Sequence, residues 1–156
     1  MLLITQPKDF EMQNLILAEE TKNNIMNDGH FHRLYYSDIY GTMKGLFIGF
    51  ELHDVTIEKY FNKLKCNFIQ NKNINIINFV KLVEKSVLNI ILNKQNKTPV
   101  YRIEEQLQND YIKIFYNNTQ EIPENKTSVK LLLKISGIWT NDTEYGVTFR
   151  FFFIRQ

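Results

Sequence analysis

Residues 129–154 read VKLLLKISGIWTNDTEYGVTFRFFFI, and this stretch decides the fold. Two runs of alternating residues flank a polar turn at 140–144, a pattern typical of an antiparallel β-hairpin with one face on a core. The odd positions form the predicted core face: Val129, Leu131, Leu133, Ile135, Trp139, Tyr145, Val147, Phe149, Phe151 and Phe153. The even positions mix basic with apolar residues: Lys130, Leu132, Lys134, Ile138, Arg150 and Phe152.

The basic residues of this even face need an explanation. If Trp139 pairs with Tyr145 across the turn, Lys134 lies opposite Arg150, and like charges that face each other in a sheet are destabilising. A bound anion on this face would explain the arrangement. The alternative is that an acidic residue of a neighbouring strand, such as Glu51, neutralises it.

Length and composition limit the class of protein. A chain of 156 residues predicts a single domain, 1–156, with a hydrophobic core. The net charge of +2 indicates no partner by itself. The single cysteine, Cys66, excludes an intrachain disulfide and a zinc site built on several thiolates. We find no secretory signal and no apolar run of the roughly 20 residues that span a bilayer. We therefore expect an intracellular, soluble protein with no membrane partner.

The rest of the chain predicts strands on both sides of one helix. Strands are expected at 32–37, 46–52, 59–68 and 111–116, and a helix at 76–92 with Asn75 as its N-cap. A helix over 56–64 is the alternative for the third strand, and 100–108 reads as either a short helix or a strand. This order predicts an α+β fold. We expect a mainly antiparallel sheet or a partly open barrel of the oligonucleotide-binding (OB) type, with one main helix and a long C-terminal β-hairpin.

No motif indicates catalysis. Phosphate-binding glycine loops are absent from the sequence, and Cys66 lies on the predicted face of Tyr60, Leu64 and Phe68, which is typical of a buried thiol. Asp28, His30 and His32 have the spacing of metal ligands on one strand face, but no further ligand motif follows, so incidental histidines near a turn are favoured. The sequence thus predicts no enzyme, no metal and no cofactor.

Aromatic and basic residues alternate on several predicted strand faces. Proteins that bind single-stranded nucleic acid stack bases on aromatic rings and hold phosphates with Lys and Arg. The competing interpretation is that the rings belong to the core and the lysines extend from its edge. The candidate binding residues are Tyr111, Lys113 and Phe115 on one strand, Lys63 and Lys65 beside Phe61 on another, Arg33 and Tyr35 on a third, and Lys130, Lys134 and Arg150 on the hairpin.

The last third of the chain, from Arg102 onward, contains the segments EEQLQNDYIKIFY (104–116) and LLLKISGIWTNDTEYGVTFRF (131–151). This pattern resembles the C-terminal part of small single-stranded-DNA-binding-like proteins of nucleocytoplasmic large DNA viruses. The resemblance implies a viral protein of the host cytoplasm or nucleus, or of the virion, that acts in DNA replication or packaging. It also implies roles for Lys113, Lys134, Trp139, Tyr145 and Arg150.

The sequence therefore predicts a protein that binds single-stranded DNA, or RNA, without catalysis, and leaves homo-oligomerisation open. The alternative is a structural or assembly protein, such as a virion component or scaffold. It would form homo-oligomers through exposed apolar sheet surface that includes Leu132, Ile138 and Phe152.

Overall fold

The computed structural model describes residues 3–22, 29–91, 96–116 and 128–154, in which strands predominate. The strands are β1 Leu15–Lys22, β2 His30–Asp38, β3 Gly41–Lys44, β4 Leu46–His53, β5 Thr56–Tyr60, β6 Lys63–Asn67, β7 Thr98–Val100, β8 Tyr111–Phe115, β9 Ser128–Thr140 and β10 Glu144–Phe153. The helices are α1 Ile74–Asn89 and α2 Arg102–Gln108. The predicted α+β class with one main helix is confirmed, and both sheets are open and mainly antiparallel.

The larger sheet is organised around β9, which is 13 residues long. Strand β10 runs antiparallel along one side of β9, so the predicted C-terminal hairpin is confirmed. On the other side, β4 pairs with the first part of β9 and β2 with the last part. Strands β1 and β3 pair with β2, and β7 lies parallel to the start of β10.

The hairpin contains a bulge that changes its register. Next to the turn, Trp139 lies opposite Gly146, so the predicted pairing of Trp139 with Tyr145 is wrong by one residue. The register shifts where Ser136 is left without a partner on β10, and beyond that point Lys134 lies opposite Arg150. The predicted pair of opposed cations is therefore confirmed, although the predicted pairing beside the turn is wrong.

The same bulge exchanges the faces of two residues. Because one extra residue reverses the alternation of a strand, Ile138 joins the core and Trp139 points to the opposite face. The prediction that Trp139 lies on the core face and the prediction that Ile138 lies on the opposite face were both wrong. Trp139 is nevertheless buried, and its ring lies so close to Gly146 that a Cβ there would sit 2.7 Å from the Cζ2 atom.

A second, three-stranded sheet has the order β5-β6-β8. The predicted continuous strand 59–68 is wrong, and so is the alternative helix over 56–64, because the chain turns at Phe61 and Asn62 between β5 and β6. Leu64 and Cys66 face the core as predicted. Tyr60 does not share their face, since it pairs with Lys63 across the turn.

Helix α1 buries one apolar face against α2, β4 and β10. Its N-cap is Asn73, whereas the sequence predicted Asn75. The side-chain amide of Asn73 accepts the backbone N–H of His53 and donates to the carbonyl oxygens of His53 and Ile69, which ties α1 to the end of β4. Neither helix of the described ranges is both long and apolar enough to cross a membrane.

Candidate nucleic-acid interface

The outer face of the small sheet carries a regular array of three residues from each strand. The registers of β5, β6 and β8 align these residues in three rows. The rows are Thr56, Asn67 and Tyr111; Glu58, Lys65 and Lys113; and Tyr60, Lys63 and Phe115. We call these nine residues the basic–aromatic face. It unites all five candidates that the sequence placed on β6 and β8.

Lysines and tyrosines contact one another across this face. The Lys65 Nζ lies 4.5 Å from the ring centre of Tyr111 and 5.9 Å from that of Tyr60. The Lys113 Nζ lies 5.2 Å from the Tyr60 ring centre. Two ammonium groups are therefore held near one aromatic ring.

The charge of the face is unbalanced. Lys65 lies directly opposite Lys113 on neighbouring strands, which is unfavourable for like charges. Glu58 lies opposite Lys65 on the other side, with 4.0 Å between its Oε1 and the Lys65 Nζ, and its side chain is largely exposed. Contacts between the ammonium groups and the rings are worth about 0.5–1 kcal/mol each at exposed sites and offset part of the repulsion. These contacts reduce the repulsion between Lys65 and Lys113 but do not remove it.

Arg150 extends the basic–aromatic face onto β10. Its guanidinium lies 5.0 Å from the ring centre of Phe115, and the Phe115 ring also contacts Phe152 at 5.5 Å between centres. A groove of about 650 Å³ opens here, within the range of about 300–1,000 Å³ of ligand sites. Its lining includes Asn62, Lys63, Arg102, Gln106, Lys113, Phe115, Phe149 and Arg150.

A buried layer supports the face from below. Leu64, Cys66, Ile112 and Ile114 alternate with its residues on β6 and β8 and are almost fully buried. Burial raises the pKa of the Cys66 thiol to about 12, so this cysteine is a packing residue and not a nucleophile at neutral pH. The cations thus project from strands that are fixed by the core.

Two further candidates lie on β9. Lys134 is the cross-strand neighbour of Arg150, and its Nζ lies 5.8 Å from the ring centre of Phe47. Lys130 lies farther along β9 and directly opposite Glu51, so the acidic neighbour considered in the sequence analysis faces this lysine. Lys134 therefore borders the basic–aromatic face through Arg150, whereas Lys130 has an opposite charge beside it.

Arg33 and Tyr35 are not brought to this face. They lie on β2, and β9 and β10 separate that strand from the small sheet. The Arg33 guanidinium stacks at 5.2 Å on the ring of Phe31, its neighbour on the same strand face.

The sequence missed two residues that shape the site. Tyr60 is 40% exposed, and its ring contacts both Lys65 and Lys113. A prediction of the turn at Phe61 would have placed Tyr60 on the outer face. Arg102 begins α2, lines the groove and holds its guanidinium 5.0 Å from the Trp139 ring centre, and no sequence signal indicated this. Trp139 and Tyr145, which the resemblance also implied, are both buried.

The histidine cluster considered as a metal site has other contacts. The Nδ1 of His30 lies 2.7 Å from the Glu20 Oε1, and the Nδ1 of His32 lies 3.0 Å from the Ala18 carbonyl oxygen. Asp28 lies outside the described residues. Within the described ranges, no group of three or more His, Cys, Asp or Glu side chains is placed to hold a metal ion.

Comparison with protein-family models, with curated proteins and with solved structures found no significant match to this chain. The viral resemblance described for the C-terminal third therefore stays a prediction.

Proposed function

We propose that this protein binds single-stranded nucleic acid, DNA in the first instance, on the basic–aromatic face and Arg150, without catalysing a reaction. The observation that carries the proposal is the direct opposition of Lys65 and Lys113 between Tyr60 and Tyr111. Such a pair is unfavourable in the free protein and becomes favourable when a phosphate lies between the ammonium groups.

The contacts of the free protein indicate how binding would proceed. Lys65 and Lys113 lie near the Tyr60 ring, where a base would otherwise stack. A phosphate that draws these ammonium groups away leaves the ring open to a base. Stacking on aromatic rings tolerates any base, so we expect little sequence preference.

Arg150 would bind the nucleic-acid strand where it continues from the basic–aromatic face into the groove. Its planar guanidinium stacks on Phe115 and retains N–H donors at its edge for a phosphate. Lys134, its cross-strand neighbour, extends the positive charge along β9. The resemblance to viral proteins adds a setting to this proposal: DNA replication or packaging, in the host cytoplasm or nucleus or in the virion.

The test is a fluorescence-anisotropy titration of a labelled single-stranded oligonucleotide at several salt concentrations. If Lys63, Lys65, Lys113 and Arg150 each contact a phosphate, log K should fall with log salt with a slope of about −3, because each phosphate contributes about −0.7 on a single strand. Absence of binding at micromolar protein in low salt would refute the proposal. Equal affinity for an oligonucleotide and for inorganic polyphosphate would refute the role of the rings.

A structural or assembly role is the second candidate, and the β2–β3 turn favours it. Ile39 and Tyr40 are adjacent at this turn and are 91% and 77% exposed, so together they offer an apolar surface to a second protein. The predicted interface residue Ile138 does not contribute, because it is buried in the core. Light scattering separates the two functions: a large oligomer that is insensitive to salt and to DNA would favour assembly.

A further inference from the structure

The turn between β5 and β6 places a large apolar ring in water. Tyr60 pairs with Lys63, so the connection consists of Phe61 and Asn62 alone. Phe61 is 88% exposed and has a φ of +54°. Gly, Asn or Asp usually occupies this position of a two-residue hairpin turn, since a bulky side chain is strained at positive φ.

Phe61 thus carries two costs in the free protein. Its backbone is strained, and its ring gains almost nothing from burial. Tyr40, at the β2–β3 turn, is exposed to a similar extent, but its φ is not positive. Strain at a bulky, exposed residue is typical of positions that act on a ligand.

The ring of Phe61 continues the basic–aromatic face. It contacts the Tyr60 ring edge to face, with 4.9 Å between ring centres and an angle of 81°. Its neighbours Asn62 and Lys63 line the groove. A nucleic-acid strand that stacks on Tyr60 and places its phosphates at Lys63 would therefore pass the Phe61 ring as it leaves the basic–aromatic face.

We propose that Phe61 is a stacking residue for an unpaired base at the edge of the bound strand. The proposal rests on the function proposed above and extends its footprint to the hairpin tip. The ligand class is nucleic acid with unpaired bases, because a base inside a duplex has both of its faces stacked and cannot accept the ring. Lys63 and Lys65 supply the positive charge that brings a polyanion, and not an apolar partner, to this tip.

The test compares Phe61→Gly with Tyr40→Gly, a matched control at the other exposed turn. In anisotropy titrations with labelled oligothymidylate, Phe61→Gly should weaken binding by about 5-fold to 100-fold, the usual effect of removing one stacking ring. The slope of log K against log salt should not change in this variant, because no charge is removed. Tyr40→Gly should bind like the wild type. A long DNA duplex, in which nearly all bases are stacked on both faces, should bind the wild type and Phe61→Gly equally.

Stability provides an independent readout. Because Gly accepts positive φ without strain, Phe61→Gly should unfold at an equal or higher urea concentration than the wild type. A lower midpoint would overturn the strain argument. In that case Phe61→Leu, which keeps an apolar side chain but removes the π-face, still tests stacking and should weaken binding.

The two proposals fail in different ways. A wild type that binds with the expected salt dependence, together with a Phe61→Gly variant of equal affinity, would overturn the role of Phe61 and leave the proposed function intact. A wild type that binds no oligonucleotide would overturn both. Loss of self-association in Phe61→Gly, with oligonucleotide binding unchanged, would identify the tip as a protein contact and would also overturn this inference.

Discussion

The opposed lysines Lys65 and Lys113 allow the charge arrangement to be measured without any ligand. We consider Lys65→Gln, Lys113→Gln and the double variant. The two Nζ atoms lie 5.9 and 5.2 Å from the same Tyr60 ring centre. Unit charges about 5 to 11 Å apart in water repel by roughly 0.4 to 0.8 kcal/mol. Lys113→Gln also loses its contact with the Tyr60 ring, worth about 0.5–1 kcal/mol, so for this variant the two effects should nearly cancel. Lys65→Gln loses contacts with two rings and with Glu58, so it should be the more destabilising of the two.

A double-mutant cycle isolates the pair. Urea denaturation at low salt should give an unfavourable coupling energy of roughly 0.5 kcal/mol between Lys65 and Lys113, and this energy should shrink when salt screens the charges. A zero or favourable coupling at low salt would refute the reasoning that the two charges are crowded.

The same variants test phosphate binding. Each single variant should make the slope of log K against log salt less steep by about 0.7, the contribution of one phosphate on a single strand, and the double variant should do so by about 1.4. Lys130→Gln removes a charge outside the basic–aromatic face and beside Glu51, so it serves as the control and should leave the slope unchanged. Equal slopes for all variants would show that Lys65 and Lys113 do not contact the phosphates.

Three further predictions concern the groups that hold the fold together. Asn73→Ala removes three hydrogen bonds and should lower the free energy of unfolding by about 2–4 kcal/mol in urea denaturation. The control, Asn75→Ala, changes an exposed residue and should alter this free energy by less than about 1 kcal/mol. Similar effects of the two variants would contradict the role of Asn73. Cys66 should not react with a thiol reagent in the native protein at pH 8 but should react once in denaturant, because burial raises its pKa to about 12; rapid native labelling would contradict this. Glu84 accepts the backbone N–H groups of Ile103 and Glu104, and burial raises its pKa above 4.5. The Glu84 carboxyl therefore binds a proton more tightly in the folded chain than in the unfolded chain. The free energy of unfolding, measured relative to Glu84→Gln, should be greatest below pH 4.5 and should decrease as the pH rises through the pKa of the folded state. A difference between the two proteins that is independent of pH would contradict this prediction.

The alternation of residues predicted those parts of the fold in which strands are regular. It identified the outward positions Tyr111, Lys113 and Phe115 on β8, and the buried odd positions of β9 up to Ile135. It failed at Ile138 and Trp139, because a bulge inserts one residue and reverses the alternation beyond it. Gly137 at the bulge was the one local sign, and a single glycine does not reveal a register shift.

The sequence did not predict the turn at Phe61, for a related reason. Neither Phe61 nor Asn62 forms a glycine or proline turn signal, so the apolar and basic residues on both sides read as one strand. Without that turn, Tyr60 was assigned to the core. The pairing of β6 with β8 brings Lys65 and Lys113 together, but α1 and α2 separate the two strands in sequence. Such a long-range register depends on tertiary packing, which alternation within one strand does not encode.

Single-stranded nucleic acid, we propose, binds on the outer face of the small sheet. Backbone amide shifts in a ¹H–¹⁵N NMR titration with a single-stranded oligonucleotide test it most directly. We predict that the largest shifts map to Lys63, Lys65, Lys113 and Phe115, with Arg150 beside them, and that residues of β1 are unaffected. Shifts confined to β1 and β2, or no shifts at saturating oligonucleotide, would contradict the claim.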